Sequence, residues 1–524
     1  MNSLALLRRG ITGYIAVTSL AFLLELPSTA MAQTNYLAFE LVQENNFRRL
    51  NTEDLNGDGT LDLIVQHFQE DIGRELHVYH QQADGTFSQT PQRIEIKTEI
   101  IAVGFADIRS EPGKELLLFA SNGVFSLSTA SDGYAGNIRQ LFEWDLIATV
   151  PNLESVQFFN DIKDVNGDGY IDLLLPGEKL YGFFRGLPNE EFTLVTRLTT
   201  TNENLAPAER PGRRGGLDAN MRINADEGLV LEVTAQESSP FAGFIEEWVE
   251  DENSNSLLDA ESWIPSAQLV NLNDDGLPDI AYLNVGDDSL GQLNIHYQSA
   301  AGEFTDNPDW QGRLETRGDI RLIDLNGDEQ LDLLRIDGNG NEWTCYFFIN
   351  SSGKFNLEQA DQVMRFSGYD VELNFIDING DGRPSLNVGY YTIPVVNAIR
   401  NASIVRTQLL YSGSNDESSL FSRRPDSRLE ESFSADEVRG LAEQMSLRFD
   451  IDGDGIKDAM YITAEGTLAA KRIDEQLQIA SEPFWQYVPD RGIVGFNVLH
   501  LNSDNKPDLI LRHNSATTVL VATP

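Results

Sequence analysis

A nine-residue acidic turn, Asp-x-Asn-Gly-Asp-Gly-x-x-Asp, returns along this chain at regular intervals. It reads Asp54, Asn56, Asp58, Asp62, then Asp164, Asn166, Asp168, Asp172. It comes back as Asp324, Asn326, Asp328, Asp332 and as Asp450, Asp452, Asp454, Asp458. Side-chain oxygens at positions 1, 3, 5 and 9 can converge on one hard cation, and Gly at position 6 permits the sharp turn. Asp, Asn and Gly also make ordinary turns, so one copy alone would say little. Four copies with every donor in register point to metal.

Weaker copies fill the gaps. Asn271, Asn273, Asp275, Asp279 has an amide at position 1, which predicts weaker binding; Asp377, Asn379, Asp381 has Ser385 at position 9. Arg109 in the loop beginning Asp107, and His500 at the head of the last loop, predict metal-free turns. Asp251, Asn253, Asn255 and Asp259 repeat the donors without the Gly. The all-oxygen set suits several calcium ions better than magnesium, which takes few protein ligands in rigid octahedral geometry. Position 12 of the first loop is Val65, so the bidentate Glu of an EF-hand is missing.

The loops begin at 54, 107, 164, 271, 324, 377, 450 and 500, at spacings of 53, 57, 107, 53, 53, 73 and 50 residues. Around each lies the same grammar. A strand leads in, a second leaves from position 9 (Leu61 to Val65, Ile171 to Leu175, Leu331 to Ile336, Leu509 to Leu511), and a third follows a turn (Leu76 to Tyr79, Val124 to Leu127, Trp343 to Phe348). A fourth is expected to begin at Gly-x-Phe, as at Gly85, Gly302 and Gly353. Four short strands per fifty-residue unit predict an all-β propeller. The last unit lacks a fourth strand, and Tyr36 to Val42 can supply it, closing the ring and removing an open edge. Eight blades are expected, with seven as the alternative. The long interval after 164 has room for a ninth, eroded unit around Asn224 and Asp226, an unusual number. Ser434 to Met445 is the one fair helix candidate.

Residues 1–32 read as a secretory signal peptide: Arg8 and Arg9, an apolar run Ile11 to Leu24, then Ala30-Met31-Ala32 before the break. The propeller then occupies 33–524, with insertions at 200–265 and 393–440 where recognition loops would sit. An exported product is expected, periplasmic, secreted or cell-surface, with no membrane span after signal removal. With 38 basic against 82 acidic residues, the net charge of −44 repels nucleic acid and recruits cations. The single cysteine, Cys345, excludes disulfides within the chain and multi-cysteine zinc sites, and it reads as a small buried apolar residue.

The loops resemble those of FG-GAP and VCBS repeat proteins, the family that includes the integrin α-subunit propeller, over roughly Tyr36 to Thr523. The resemblance implies a calcium ion in each intact loop, between two strands of a blade. It implies a binding or adhesion module for a protein or glycan partner. The alternative is a calcium-dependent carbohydrate-active enzyme, since polysaccharide lyases are known on calcium-bearing eight-bladed propellers. No Gly-x-Ser-x-Gly, His-Glu-x-x-His or phosphate-cradling loop is present, so no catalytic residue is assigned. His77 and His80 point to opposite faces of a strand and cannot share a metal without a bulge. Two arginine islands, Arg210, Arg213, Arg214 and Arg423, Arg424, Arg428, lie in the insertions. Arg317-Gly318-Asp319, the tripeptide that integrins bind, runs into an expected strand.

Overall fold

A computed structural model of the chain describes residues 36–42, 50–110, 112–147, 154–200, 267–285, 290–315, 319–339, 341–392, 403–414, 419–434, 445–463, 465–504, 506–513 and 515–523. It also describes the backbone of strands 203–204, 218–224, 228–234, 243–249 and 258–264. The signal-like segment, the arginine island at 210–214, Arg317, residues 251–257 of the extra loop and the interior of the helix candidate fall outside these residues.

Antiparallel four-stranded sheets follow one another along the chain. Blade 1 is Leu50–Glu53, Asp62–Gln69, Gly73–Tyr79 and Gln92–Ile96. Blade 2 runs from Ile100–Ala106 to Arg139–Glu143, with Gln157–Phe158 added in parallel on its inner edge. Blade 3 comprises Leu173–Gly177, Leu180–Leu187 and Glu191–Thr199, its inner side completed by a bridge from Lys163 to Asp172. Blades 4 to 7 start at Gln268–Val270, Asp319–Ile323, Tyr369–Ile376 and Ser446–Phe449. Blade 8 is Gly495–Leu499, Asp508–Arg512 and Ala516–Ala522, with Tyr36–Val42 as its outermost strand. Tyr36 pairs with Ala522 and Val42 with Ala516, the closure expected from the sequence. Among the described residues the only helical segments are two 3-10 turns, Ala130–Asp132 and Pro188–Glu190.

The strand period of two builds the ring, because alternate residues of one strand enter opposite seams. In blade 2, Leu116 and Leu118 pack toward blade 1, while Leu117 and Phe119 pack toward blade 3. Eight buried apolar clusters result, each joining two consecutive blades. The cluster of Leu41, Val519 and Val521 with Leu63 and Val65 joins blade 8 back to blade 1. The chain is therefore an eight-bladed propeller. Leu174, Phe183 and Leu198 of blade 3 pack directly on Leu269, Ile280 and Phe304 of blade 4, so the strands of 203–264 add no ninth blade between them.

Two expectations need adjustment. The Gly-x-Phe turns do not begin the fourth strands. Phe87 bridges back to Gln81 and Phe355 pairs with Asn350, in small hairpins that precede Gln92–Ile96 and Gln362–Ser367. Each Phe is a plug: Phe87, Phe304 and Phe355 are buried in the seam with the preceding blade, where a fully buried aromatic contributes about 1.5–3 kcal/mol. Within 393–440, Ser403–Tyr411 and Ser427–Ser434 are the third and fourth strands of blade 6, leaving 393–402 and 435–440 outside the described residues. Cys345 is fully buried, and its burial pushes the thiol up to about 12.

Candidate metal-binding loops

Each acidic turn connects the first and second strands of its blade, and its shape follows from its own side chains. In blade 1, Oδ1 and Oδ2 of Asp54 accept the N–H groups of Gly57 (2.7 Å) and Gly59 (3.0 Å). Asn56 Oδ1 accepts from Asp58 N–H at 2.9 Å, and Asp58 Oδ1 from Thr60 N–H at 2.9 Å. The same chain of contacts runs through Asp164, Asn166 and Asp168 and through Asp324, Asn326 and Asp328. It recurs at Asp450 and Asp454, at Asp377 and Asp381, and at Asn273 and Asp275. Such side-chain-to-backbone turns hold positions 1, 3 and 5 around one centre and leave lone pairs on every oxygen.

Some of those oxygens lack any partner. Asn271 Oδ1, Asn379 Oδ1 and Asp452 Oδ1 are buried without a hydrogen bond. A buried acceptor left unmade costs about 1–3 kcal/mol, and a cation at the loop centre would satisfy it. In blade 7 one carboxylate oxygen from each of Asp450, Asp452 and Asp454 lies within 4.8 Å of the other two. Arg472 donates to Asp452 Oδ2 at 2.7 Å and offsets part of that charge.

Position 9 plays a different part in the geometry. Asp62, Asp172, Asp279, Asp332 and Asp508 are wholly excluded from solvent, and Asp458 nearly so. One oxygen of each accepts the N–H of loop position 2, as from Val165 (3.0 Å), Leu272 (3.2 Å), Leu325 (2.9 Å) and Ile451 (2.8 Å). In most blades the other accepts a backbone N–H beyond the third strand or within it: Gln81 to Asp62, Gly186 to Asp172, Gln298 to Asp279, Asn350 to Asp332. The position 9 carboxylate thus staples the loop to the blade. Burial, with the loop's other carboxylates adding to it, pushes Asp172 and Asp279 up to about 6 and Asp332 and Asp458 up to about 7. Glu115 takes this place in blade 2 and accepts from Ile108 N–H at 2.8 Å; in blade 6 it is the buried Ser385.

The turns form a girdle at one end of the ring, tied by backbone hydrogen bonds across four of the seams. The N–H of Leu61 donates to the Leu501 carbonyl, Lys114 to Leu55, Leu331 to Asn271 and Lys457 to Ile378, each 2.8–3.0 Å across a seam. Position 8 of one loop thereby grips the entry of the loop before it. The two divergent loops share this grip, through Lys114 and Leu501, and add partners of their own. Arg109 and Arg139 both pair with Glu190 of blade 3, at 3.1 and 2.9 Å, and His500 Nδ1 donates to the Lys506 carbonyl at 2.9 Å. Arg423, Arg424 and Arg428 are exposed, and Arg428 pairs with Glu430.

Residues 54–110 match the FG-GAP-like repeat family, a span running from the first loop through the start of the second. No curated protein matches the chain. Among solved structures, an Agrocybe aegerita lectin that recognises non-reducing terminal N-acetylglucosamine is 14% identical, covering 77% of this chain and 81% of that one, with a TM-score of 0.35. Saccharomyces cerevisiae Sqt1 is 10% identical over 94% of this chain and 100% of its own, with a TM-score of 0.40. The Photorhabdus luminescens Tc holotoxin pore is 12% identical over 92% of this chain and 20% of its own, with a TM-score of 0.28. Among the described residues no helix is long and apolar enough to cross a membrane.

Proposed function

We propose that this FG-GAP-repeat propeller is an exported, calcium-loaded binding module that recognises a protein or glycan partner. The observation that carries the calcium assignment is the set of buried, unpartnered loop oxygens on Asn271, Asn379 and Asp452. They stand in loops that gather oxygen donors and nothing softer at positions 1, 3 and 5, the chemistry calcium takes. Asp54, Asn56 and Asp58, with their counterparts in the loops that begin at 164, 271, 324, 377 and 450, hold the ions. The position 9 carboxylates anchor the loops. Bound ions fix the girdle and with it the seams between blades.

Recognition is assigned to the girdle end. A groove between blades 5 and 6 is lined by Asn326, Asp328, Asn356, Arg383, Ser414 and Ser419. Amide, hydroxyl, carboxylate and guanidinium groups beside a metal loop suit a hydroxyl-rich glycan or a polar peptide segment. The test is a calorimetric calcium titration of the chelated protein, with a thermal melt before and after. Four or more bound ions and a marked rise in Tm are expected, because a ligand held only by the folded state stabilises it by mass action. An unchanged melt and no binding heat would reduce the loops to turns and remove the reading.

A further inference from the structure

A second cluster of ligand groups lies away from the acidic loops, in blade 1. His67 on the second strand stands directly opposite Glu75 on the third. His77 follows Glu75 by two residues, so all three side chains share the face that carries Leu63 and Val65 toward blade 8. The His77 Nε2 to Glu75 Oε2 distance is 2.9 Å, and the His67 and His77 rings stack with centroids 4.5 Å apart. One ligand atom from each of the three lies within 4.8 Å of the others. Glu75 and His77 are buried and His67 is half-buried, so one side of the group is open.

We propose that His67, Glu75 and His77 form a binding site for one divalent transition-metal ion of the zinc class. Two imidazoles and a carboxylate form a three-ligand set with a fourth, open position, a chemistry suited to zinc and unlike the all-oxygen donors of the loops. Bonds of 2.0–2.1 Å need ligand atoms about 3.3 Å apart. The Glu75–His77 pair is already inside that separation, and a turn of the half-buried His67 ring closes the third side. Without metal the His77 Nε2–H donates to Glu75 Oε2, and the ion takes the place of that shared proton. The site is separate from the loop of its own blade: from Asp62 to His67 the strand advances about 17 Å. Arg93 pairs with His77 and Glu95 with Glu75 on the fourth strand, both exposed, and their charges cancel at the rim.

The experiment is a zinc titration of the full protein in saturating calcium, so that the loops do not compete and the outcome is independent of the calcium reading. One zinc per chain is expected, with the resonances of two of the six histidine imidazoles shifting together. His67→Ala and Glu75→Gln should each lose that binding step, while His67→Ala keeps the Tm measured in calcium alone. If either variant fails to fold, the histidine spectrum of the unaltered protein decides. No zinc step in that protein, no paired histidine shift, or a step that survives in both variants would overturn the site.

Discussion

Asn350 binds Asp332 through its backbone, the N–H donating to Oδ1 at 2.7 Å, while its side-chain amide reaches across the seam to the Leu272 carbonyl, also at 2.7 Å. One residue thus joins the buried carboxylate of blade 5 to the entry of the loop in blade 4. Gln298 repeats the arrangement one blade earlier, from Asp279 to the Val165 carbonyl at 3.1 Å. The loop, its staple and its neighbour are one mechanical unit, and a disturbance at the girdle is felt at the seams.

The raised carboxylates make the metal-free protein sensitive to pH. Asp332 and Asp458 near 7, and Asp172 and Asp279 near 6, sit above the unfolded value of about 3.9. The folded state therefore binds protons that the unfolded state does not, and stability is lost as pH rises through 6 to 7. His80, raised by its bond to Asp62, acts in the same direction. His77 and His296, lowered by burial, oppose it below about 6.5 by resisting protonation. In chelator, the Tm should rise as pH falls from 8 to about 6 and go on rising toward the unfolded carboxylate value, because the four raised carboxylates outnumber the two lowered histidines. A Tm that falls steadily over that first interval would contradict the buried position of these groups.

Gly327 separates two kinds of strain. Its φ is +82°, and a Cβ there would lie 2.0 Å from the Gly382 carbonyl oxygen of the next blade. Gly57 has a similar φ of +76° with nothing within 4 Å. Gly57→Ala should cost only the left-handed backbone penalty, about 1–2 kcal/mol. Gly327→Ala should cost at least about 1 kcal/mol more, as overpacking does, because the girdle must part. Urea denaturation of the two variants measures the difference, and equal midpoints would show that the loops of blades 5 and 6 do not touch.

Phe421, which bridges back to Gly413 as Phe87 does to Gln81, tests the plugging role of the hairpins. It is fully buried in the seam of blades 5 and 6, with the Phe347 and Phe375 rings 5.6 and 5.8 Å away. Phe421→Ala should destabilise by about 3–5 kcal/mol. Val488→Ala, at a side chain 75% exposed, should stay within about 0.5 kcal/mol. Comparable losses at both positions would refute the packing described for this hairpin.

Much of this was legible because a loop that must turn sharply and gather oxygens tolerates few sequences. Asp54, Asp164, Asp324 and Asp450 mark blade edges by themselves, and Tyr36–Val42 announces its role by being a strand without a unit. Other features depend on register, which no local pattern fixes. Gly-x-Phe reads as a strand start because Phe favours strands, yet Phe87 and Phe355 are committed to the preceding seam. The inward turn of Asp332 follows from backbone N–H groups at Leu325 and Asn350, a pairing set only once the third strand is in place. His67 meets His77 through the pairing of their strands, so a search along the chain finds His77 and His80 and rightly separates them. Arg109 signals a divergent loop, but its partner Glu190 comes from another blade.

The strand Tyr36–Val42 has a kinetic consequence. The other blades that the sheet order defines are made of near neighbours in sequence and can form as their hairpins complete, whereas blade 8 waits for residue 36 to find residue 522. Contacts at such separation form slowly, after the entropy of closing the loop has been met. Until that late encounter, the open ring presents the unpaired edge of Ala516–Ala522, free to capture the same strand from another copy of the chain. The feature that completes the ring is therefore also the point at which crowded folding would produce strand-exchanged assemblies in place of single rings.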